Sequence, residues 1–299
     1  QATMLRAVLR GLGGSLILQA RYQDVKELAQ SYATHADASV RGTAQFMWGA
    51  SLTLEGVNLD EAARHLATSR DELKTAGLPD AQTAQVDFEL GNIAAQQGRL
   101  PEAVAHYERV MALSNPAKSS EKDIDEALRS YILAHNNLAY HLHLMGDPRA
   151  ESYIKKALTL AQEKGLLSVF AYLLSTQGEI ALAQEDFATA ENAFNRALAH
   201  AQRLNQPERV AGLTANLGLL ALARMQPDLA IHRLSTALPQ ADAISSRFLA
   251  AQIRLWLAPL VPAAHARTLL HEARTIITAG RYHRLLSQLE RLEASVATK

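Results

Sequence analysis

One helical pattern recurs along the chain: a small residue, usually alanine, followed four positions later by a large apolar one. It occurs at Ala62/Leu66, Ala103/Tyr107, Ala150/Ile154, Ala190/Phe194, Ala230/Leu234 and Ala266/Leu270, with alanine spacings of 41, 47, 40, 40 and 36 residues. Three residues past each large apolar position stand Ser69, Val110, Ala157, Ala197, Ala237 and Ala273, most of them small again. On a helix these offsets share one face, so each segment carries a stripe of alternating bulk. A small residue admits a neighbouring helix and a large one fills the gap beside it.

A second helix is predicted upstream of each such segment. Four of these carry a small residue at corresponding places: Gly91, Ala139, Gly178 and Gly218. A glycine inside a helix costs about 1 kcal/mol relative to alanine, so its recurrence points to a close helix crossing. Turn signals separate the two helices of a pair at 96–102 (QQGRLPE), 145–150 (MGDPRA), 184–189 (QEDFAT) and 225–230 (MQPDLA). Pro101, Pro148 and Pro227 stand where a second helix should begin, a place that tolerates proline. Asp60 and Asp186 suit a cap or first turn. The pattern predicts seven helical hairpins over about 1–280. A final helix follows near 281–296, with Leu285, Leu286, Leu289, Leu292 and Val296 at helical spacing. The single spacing of 47 places extra residues at 114–125 (SNPAKSSEKDID), which reads as a loop: an insertion, a hinge or a contact loop.

Composition narrows the function. Apolar residues make up 48% of the 299, but aromatics only 5%. Alanine and leucine carry the apolar load and favour helix over sheet. Thirty Lys+Arg balance thirty Asp+Glu, without the basic surplus that phosphate binding requires, so neither nucleic acid nor an anionic membrane is an expected partner. There is no cysteine, which removes disulfides, thiolate metal sites and a cysteine nucleophile. No apolar run reaches the roughly 18 residues of a membrane span. The opening residues, QATMLRAVLRGLGGSLILQA, are expected to form the first helix and not a signal peptide. The missing initiator methionine suggests a piece of a longer protein.

Several segments carry the resemblance to a family. LGNIAAQQGRLPEAVAHYERVMALS (90–114) resembles a tetratricopeptide repeat through Leu90, Gly91, Gly98, Ala103 and Tyr107. QGEIALAQEDFATAENAFNRALAHAQ (177–202) is similar through Gly178, Ala190, Phe194 and Ala197. LGLLALARMQPDLAIHRLSTAL (217–238) is similar through Leu217, Gly218, Ala230 and Ala237. The first unit keeps Leu12 and Gly13 but has Val25 and Ala29 in the second-helix signature. The last carries Pro259 and Pro262. Degenerate end units are usual in such arrays. The typical helix-A tryptophan is absent from its usual place, and the spacings exceed the family's 34 residues, which longer helices would explain.

The resemblance implies an all-α, right-handed superhelix of about seven antiparallel hairpins over 1–280, with a C-terminal capping helix and tail over 281–299. It also implies that the first helices line a concave groove that holds a protein or peptide. The flanking residues there are Trp48, Ser51 and Glu55; Phe88, Asn92 and Gln96; Asn136, Asn137, Tyr140 and His143; Tyr172, Ser175 and Glu179; and Asn216. Amides both donate and accept hydrogen bonds, and aromatics add contact area at low entropy cost. Trp48 and Phe88 are equally compatible with a core role. The family's carboxylate-clamping variant sets Lys and Arg beside asparagine. Asn92 and Asn137 fit its asparagines, but Phe88, Asn136 and Gln96 stand where basic residues would. More loosely, the 40-residue units and the closing GRYHRLLSQLERLEA (280–294) look like the superhelical sensor region of bacterial signal-transducing ATPases of the maltose-regulon activator type. In those, such a region receives an inducer.

Catalytic motifs do not emerge. RGLGGSL (10–16) lacks the Gly-Lys-Ser/Thr ending of a phosphate loop, and HEART (271–275) has Thr275 where a zinc-protease motif needs its second histidine. His135, His141 and His143 lie six and two residues apart, not one face of a helix. No nucleophile elbow occurs. The expectation is a non-catalytic, cytoplasmic scaffold without cofactor or metal. The alternative is a ligand-sensing domain of a larger transcriptional or signalling ATPase.

Overall fold

The structure is a computed structural model that describes residues 1–18, 21–78, 80–118 and 124–297. Among these residues it is all-α, with fifteen α-helices, three short 3-10 turns and no strand. In chain order the helices are α1 (Ala2–Leu18), α2 (Tyr22–Tyr32), α3 (Ala38–Glu55), α4 (Leu59–Thr75), α5 (Asp80–Gln96), α6 (Leu100–Leu113), α7 (Ile124–Leu144), α8 (Arg149–Glu163), α9 (Phe170–Ala183), α10 (Phe187–Arg203), α11 (Pro207–Ala223), α12 (Pro227–Ala243), α13 (Arg247–Leu257), α14 (Ala263–Gly280) and α15 (His283–Ala297). No helix among the described residues is long and apolar enough to cross a membrane.

The chain divides into two units, Gln1–Tyr131 and Ile132–Lys299. The boundary falls within α7, close after the long connection at 114–125. Of that connection, Pro116–Lys118 form a 3-10 turn, while 119–123 lie outside the described residues. So do 298 and 299 of the expected tail.

Each predicted turn lies between two helices. Pro101 and Pro227 sit in the first turns of α6 and α12, and Pro148 precedes α8. Asp186 caps α10 by accepting from the Thr189 amide at 3.1 Å, and Asp60 lies in the first turn of α4. The long period has the expected cause, since α10, α11 and α12 each run 17 residues.

A finer regularity is absent from any sequence motif. Gly165, Glu185, Asn205, Met225 and Ser245, spaced 20 residues apart, all adopt positive φ. Each follows a helix end, and the amide after it donates back to the carbonyl of Ala161, Ala181, Ala201, Ala221 or Ala241 at 2.9–3.0 Å. This six-to-one bond closes a Schellman turn and satisfies a carbonyl that the helix end leaves open. Four of the five left-handed residues carry side chains. That conformation costs each of them roughly 1 kcal/mol, and the capping bond together with helix burial offsets it.

Within a hairpin, the glycine of the first helix receives a large side chain of the second. A Cβ on Gly178 would lie 2.5 Å from a ring carbon of Phe194, and one on Gly91 would lie 2.7 Å from the Tyr107 ring. Both rings are fully buried. Gly49 of α3, which the sequence pattern did not single out, faces Leu66 in the same way. In unit 2 the core runs through Leu174, Ala190, Phe194, Ala197, Leu213, Leu217 and Leu220. In unit 1 one core cluster comprises Leu9, Leu16, Val25, Ala29, Val40, Ala44 and Met47. First helices also touch one another in series: α1 on α3 and α3 on α5 in unit 1, then α9 on α11, α11 on α13 and α13 on α15 in unit 2. They form one layer of each unit, the layer that the resemblance sets on the inside.

Candidate functional site

The sequence-derived site residues divide between the units. Trp48, Phe88, Asn92 and Gln96 belong to unit 1, and Asn136, Asn137, Tyr140, His143, Tyr172, Ser175, Glu179 and Asn216 to unit 2.

In unit 1, side chains of the first helices turn toward the second helices. Trp48 stacks on His65 of α4 with ring centroids 4.2 Å apart, and His65 Nδ1 lies 2.6 Å from Gln45 Oε1. Phe88 meets the edge of Tyr107 at 5.7 Å. The Tyr107 hydroxyl donates to Asn92 Oδ1 at 2.8 Å, and Asn92 Nδ2 donates to Glu89 at 3.2 Å. Asn92 therefore has both ends of its amide engaged within the fold. Gln96 is half-buried near the end of α5, and Ser51 is buried, donating to the Trp48 carbonyl at 2.8 Å. At the start of α7, Glu126 takes Arg10 of α1 at 2.6 Å and the Gln85 amide of α5.

Two carboxylates on α5 behave in opposite ways. For Asp87, burial acts to raise the pKa, but His106 at 2.9 Å and Arg109 at 3.2 Å outweigh it and hold the carboxyl below its ordinary range. Among the described residues Glu89 has no basic partner to offset its burial. Its carboxyl is pushed up to about 7, with only the Asn92 hydrogen bond opposing the shift. In the unfolded chain it ionises near 4.5. Stability is therefore lost as pH rises from about 4.5 to about 7, and the full penalty persists above that. Glu89→Gln keeps an acceptor for Asn92 and removes the charge. It is expected to stabilise unit 1 by about 1–2 kcal/mol at pH 8, discounted for partial exposure, and by nothing at pH 4. Urea titrations at the two pH values check this, and an equal gain at both would refute it.

In unit 2 the expected residues come together and bring others with them. On α9, Glu179 Oε1 accepts from the Ser175 hydroxyl at 3.2 Å and from Asn216 Nδ2 of α11 at 3.1 Å; the Asn216 amide also reaches the Ser175 oxygen at 3.3 Å. Burial raises the Glu179 carboxyl. Those hydrogen bonds oppose the rise, as do Arg284 and Arg209. The Arg209 guanidinium lies over the Tyr172 ring, 4.7 Å from its centroid. Arg284 donates to the Tyr140 hydroxyl at 3.0 Å and stands against the rings of Tyr140 and Phe248 at 5.7 and 5.4 Å. Burial, then the neighbouring Glu179, pushes the Tyr140 phenol up, so it stays neutral. Side chains of α7, α9, α11, α13 and α15 thus converge on one polar, aromatic-walled place.

The remaining candidates lie on α7 with Tyr140. Asn136 is buried and donates to Asn137 Oδ1 at 3.1 Å. His143 is half-buried, which lowers its pKa. Burial, assisted by Arg284, lowers that of His141 to about 3, so this ring is neutral at any physiological pH.

Arg209, Arg284 and Phe248 were not among the residues singled out from the sequence. Arg209 and Arg284 lie in the first turns of α11 and α15, where the helix dipole disfavours a cation. That misplacement was the one available signal. No group of three or more His, Asp or Glu among the described residues is arranged to hold a metal.

A family described only as a protein of unknown function (DUF2753) matches residues 85–168. No curated protein matches. Solved structures are similar over nearly the whole chain. Cut9, in its complex with Hcn1 from the APC/C, is 19% identical with a TM-score of 0.59, over 94% of this chain and 48% of Cut9. The chain thus spans about half of that neighbour's length. A Rap protein complexed with Competence and Sporulation Factor is 12% identical with a TM-score of 0.64, over 100% of this chain and 77% of that one. A signal-transduction ATPase with numerous domains from Pyrococcus horikoshii, which carries a tetratricopeptide-repeat sensor, is 14% identical with a TM-score of 0.55, over 89% and 42%. At these identities the likeness is one of fold: the chain has the tetratricopeptide-type helical-repeat architecture that its residues resemble.

Proposed function

We propose that this chain is a non-catalytic interaction module that holds a partner's peptide segment on the inner helices of its second unit. The observation that carries this reading is the convergence of Tyr140, Tyr172, Ser175, Glu179 and Asn216 with two arginines on one face. Aromatic and arginine side chains are the usual anchors of protein interfaces. The complexed Rap neighbour shares the fold, which supports a binding role. The reading includes a cytoplasmic setting and neither cofactor nor nucleic acid. The ATPase neighbour with its repeat sensor favours a second reading, a regulatory domain of a larger signalling protein that senses a small inducer. In either case a ligand bridging several inner helices selects one curvature of the array, to the extent that it binds that state better.

The test is capture from a lysate of the source organism with three baits: the unaltered chain, Asn137→Ala/Tyr172→Ala, and Met225→Ala at a highly exposed turn residue. Circular dichroism establishes that all three are folded. A protein retained by the first and third baits and reduced about tenfold on the second, as expected for losing an anchor worth ~1.4 kcal/mol, supports the scaffold. Equal recovery on all three overturns it, and recovery of nothing turns the choice to the sensor.

A further inference from the structure

Among the described residues, several buried or half-buried arginines are matched to carboxylates. Arg254 takes Asp242 through two nitrogens and Glu272 through a third, at 2.8–3.0 Å. Arg41 takes both oxygens of Glu72 at 3.0 and 2.7 Å. Such bidentate pairing is how a structural guanidinium is usually satisfied.

The two arginines on the inner face of unit 2 are not satisfied in this way. Among the described residues no carboxylate comes within ion-pair distance of Arg284, whose partners are a phenol oxygen and two ring faces. Arg209 has a loose contact at 3.4 Å with Glu208, its half-exposed neighbour in sequence, and its Nε is buried without a hydrogen-bond partner. An unsatisfied buried donor is destabilising. Both cations also lie at helix starts, against the dipole. Glu179 is within electrostatic reach of both, but its Oε1 is already taken by Ser175 and Asn216, and burial weakens its ionisation. The rings of Tyr172, Tyr140 and Phe248 lie against the two guanidinium groups, a contact that does not itself use their N–H donors.

From this we infer that Arg209 and Arg284 form an oxyanion subsite, which takes a carboxylate or phosphate group carried by the ligand of the inner face. The inference rests on the reading of that face as a binding surface and names the chemistry that it selects. A guanidinium pair suits an oxyanion because each presents parallel N–H donors at the spacing of two oxygens. The neighbouring neutral Tyr140 hydroxyl accepts from Arg284 and keeps its own proton to donate to the same oxygens. The ligand is accordingly expected to end in, or carry, an acidic group and to offer apolar surface to the tyrosines.

The test follows the Arg Nε–H signals of the whole chain by NMR, with Arg209 and Arg284 assigned through Arg→Lys variants. The probes are inorganic phosphate, an acetylated tripeptide with a free C-terminal carboxylate, the same tripeptide as its amide, and chloride at matched ionic strength. The expected result is a saturable shift of both signals with phosphate or the free carboxylate. The tighter of the two identifies the source of the anion, and the amide and chloride leave the signals unshifted. Arg284→Gln should weaken that binding at least tenfold, and Arg284→Lys should weaken it less because the charge remains. Shifts that do not saturate or that chloride reproduces, or an Arg209 signal that still saturates at the same anion concentration in Arg284→Gln, overturn the inference. Should Arg284→Gln fail to fold, the unaltered chain with the four probes still decides. Partner capture dependent on Asn137 and Tyr172, without saturable anion binding, would reject the subsite and leave the interaction module standing. Anion binding without capture would do the reverse.

Discussion

Gly178→Val is expected to destabilise unit 2 by about 2–3 kcal/mol, Phe194→Ala by about 3–5 kcal/mol, and the double variant by about 1–2 kcal/mol less than the sum. The Phe194 ring lies where a Cβ on residue 178 would be, with ring carbons 2.5, 2.6 and 3.0 Å from that point. The ring is fully buried between α9, α10 and α11 and has no free end to swing aside. Removing the ring opens a cavity, and a valine opposite refills part of it, so the two costs are coupled. Gly11 of α1 supplies the control, since a Cβ there meets nothing within 4 Å. Gly11→Ala should stabilise its helix by about 0.5–1 kcal/mol. Native-state hydrogen exchange of the α9 and α10 amides reads the effect locally, which matters in an array whose units contact mainly their neighbours. Simple additivity of the two unit 2 changes would show that the glycine does not serve the ring.

Asp87→Ala is expected to cost unit 1 about 2–4 kcal/mol. The Asp87 side chain is 5% exposed and gathers His106 and Arg109 of α6, with Arg70 of α4 at 3.9 Å. Deleting it leaves a buried imidazole and two cations without their common acceptor. Arg109 is half exposed and can turn to water, which keeps the cost below that of a fully enclosed pair. Because the folded-state pKa of Asp87 lies below its unfolded value of 3.8, its contribution is fully present above about pH 4. It is lost as pH falls through the lower folded value. Asp87→Asn should retain part of the stability by keeping an acceptor for His106, and both variants should lose the acid limb that the unaltered chain shows below pH 4. Urea midpoints between pH 2 and 7 check this. An unchanged midpoint at pH 7 would assign the network to the surface electrostatics that contribute little.

Both effects follow from positions that the sequence marks. Gly178, Phe194, Gly91 and Tyr107 recur at fixed offsets because every hairpin solves the same packing problem. Local physics was therefore sufficient to read the helices, the turns at Pro101, Pro148 and Pro227, the long period and the all-α repeat class. A solenoid is unusually legible in this way, since its contacts are repeated and mostly near in sequence. The 20-residue train of left-handed turn residues was not legible. Glu185 and Met225 have no special turn chemistry, and the capping bonds to the preceding alanines impose their conformation.

The candidate site was legible only in part. Helical offsets place Tyr140, Tyr172, Ser175, Glu179 and Asn216 on first helices, so their gathering in unit 2 follows from the repeat. Trp48 and Phe88 occupy equivalent offsets, yet they lie against His65 and Tyr107 of the second helices. A helical offset gives the face of a helix but not the direction that a long side chain takes from it. Arg209 and Arg284 were invisible for another reason. Arg284 meets Tyr140 across 144 residues of sequence, a contact that depends on how five successive inner helices accumulate their rotation. The amino-acid sequence by itself determined the helices, their pairing and the small-to-large packing within each pair, because those terms are set within some forty residues. Only the tertiary structure decided which charges meet on the inner face of unit 2. Electrostatic and aromatic contacts there are made between hairpins, where small per-repeat angles add up to a distance that no local pattern encodes.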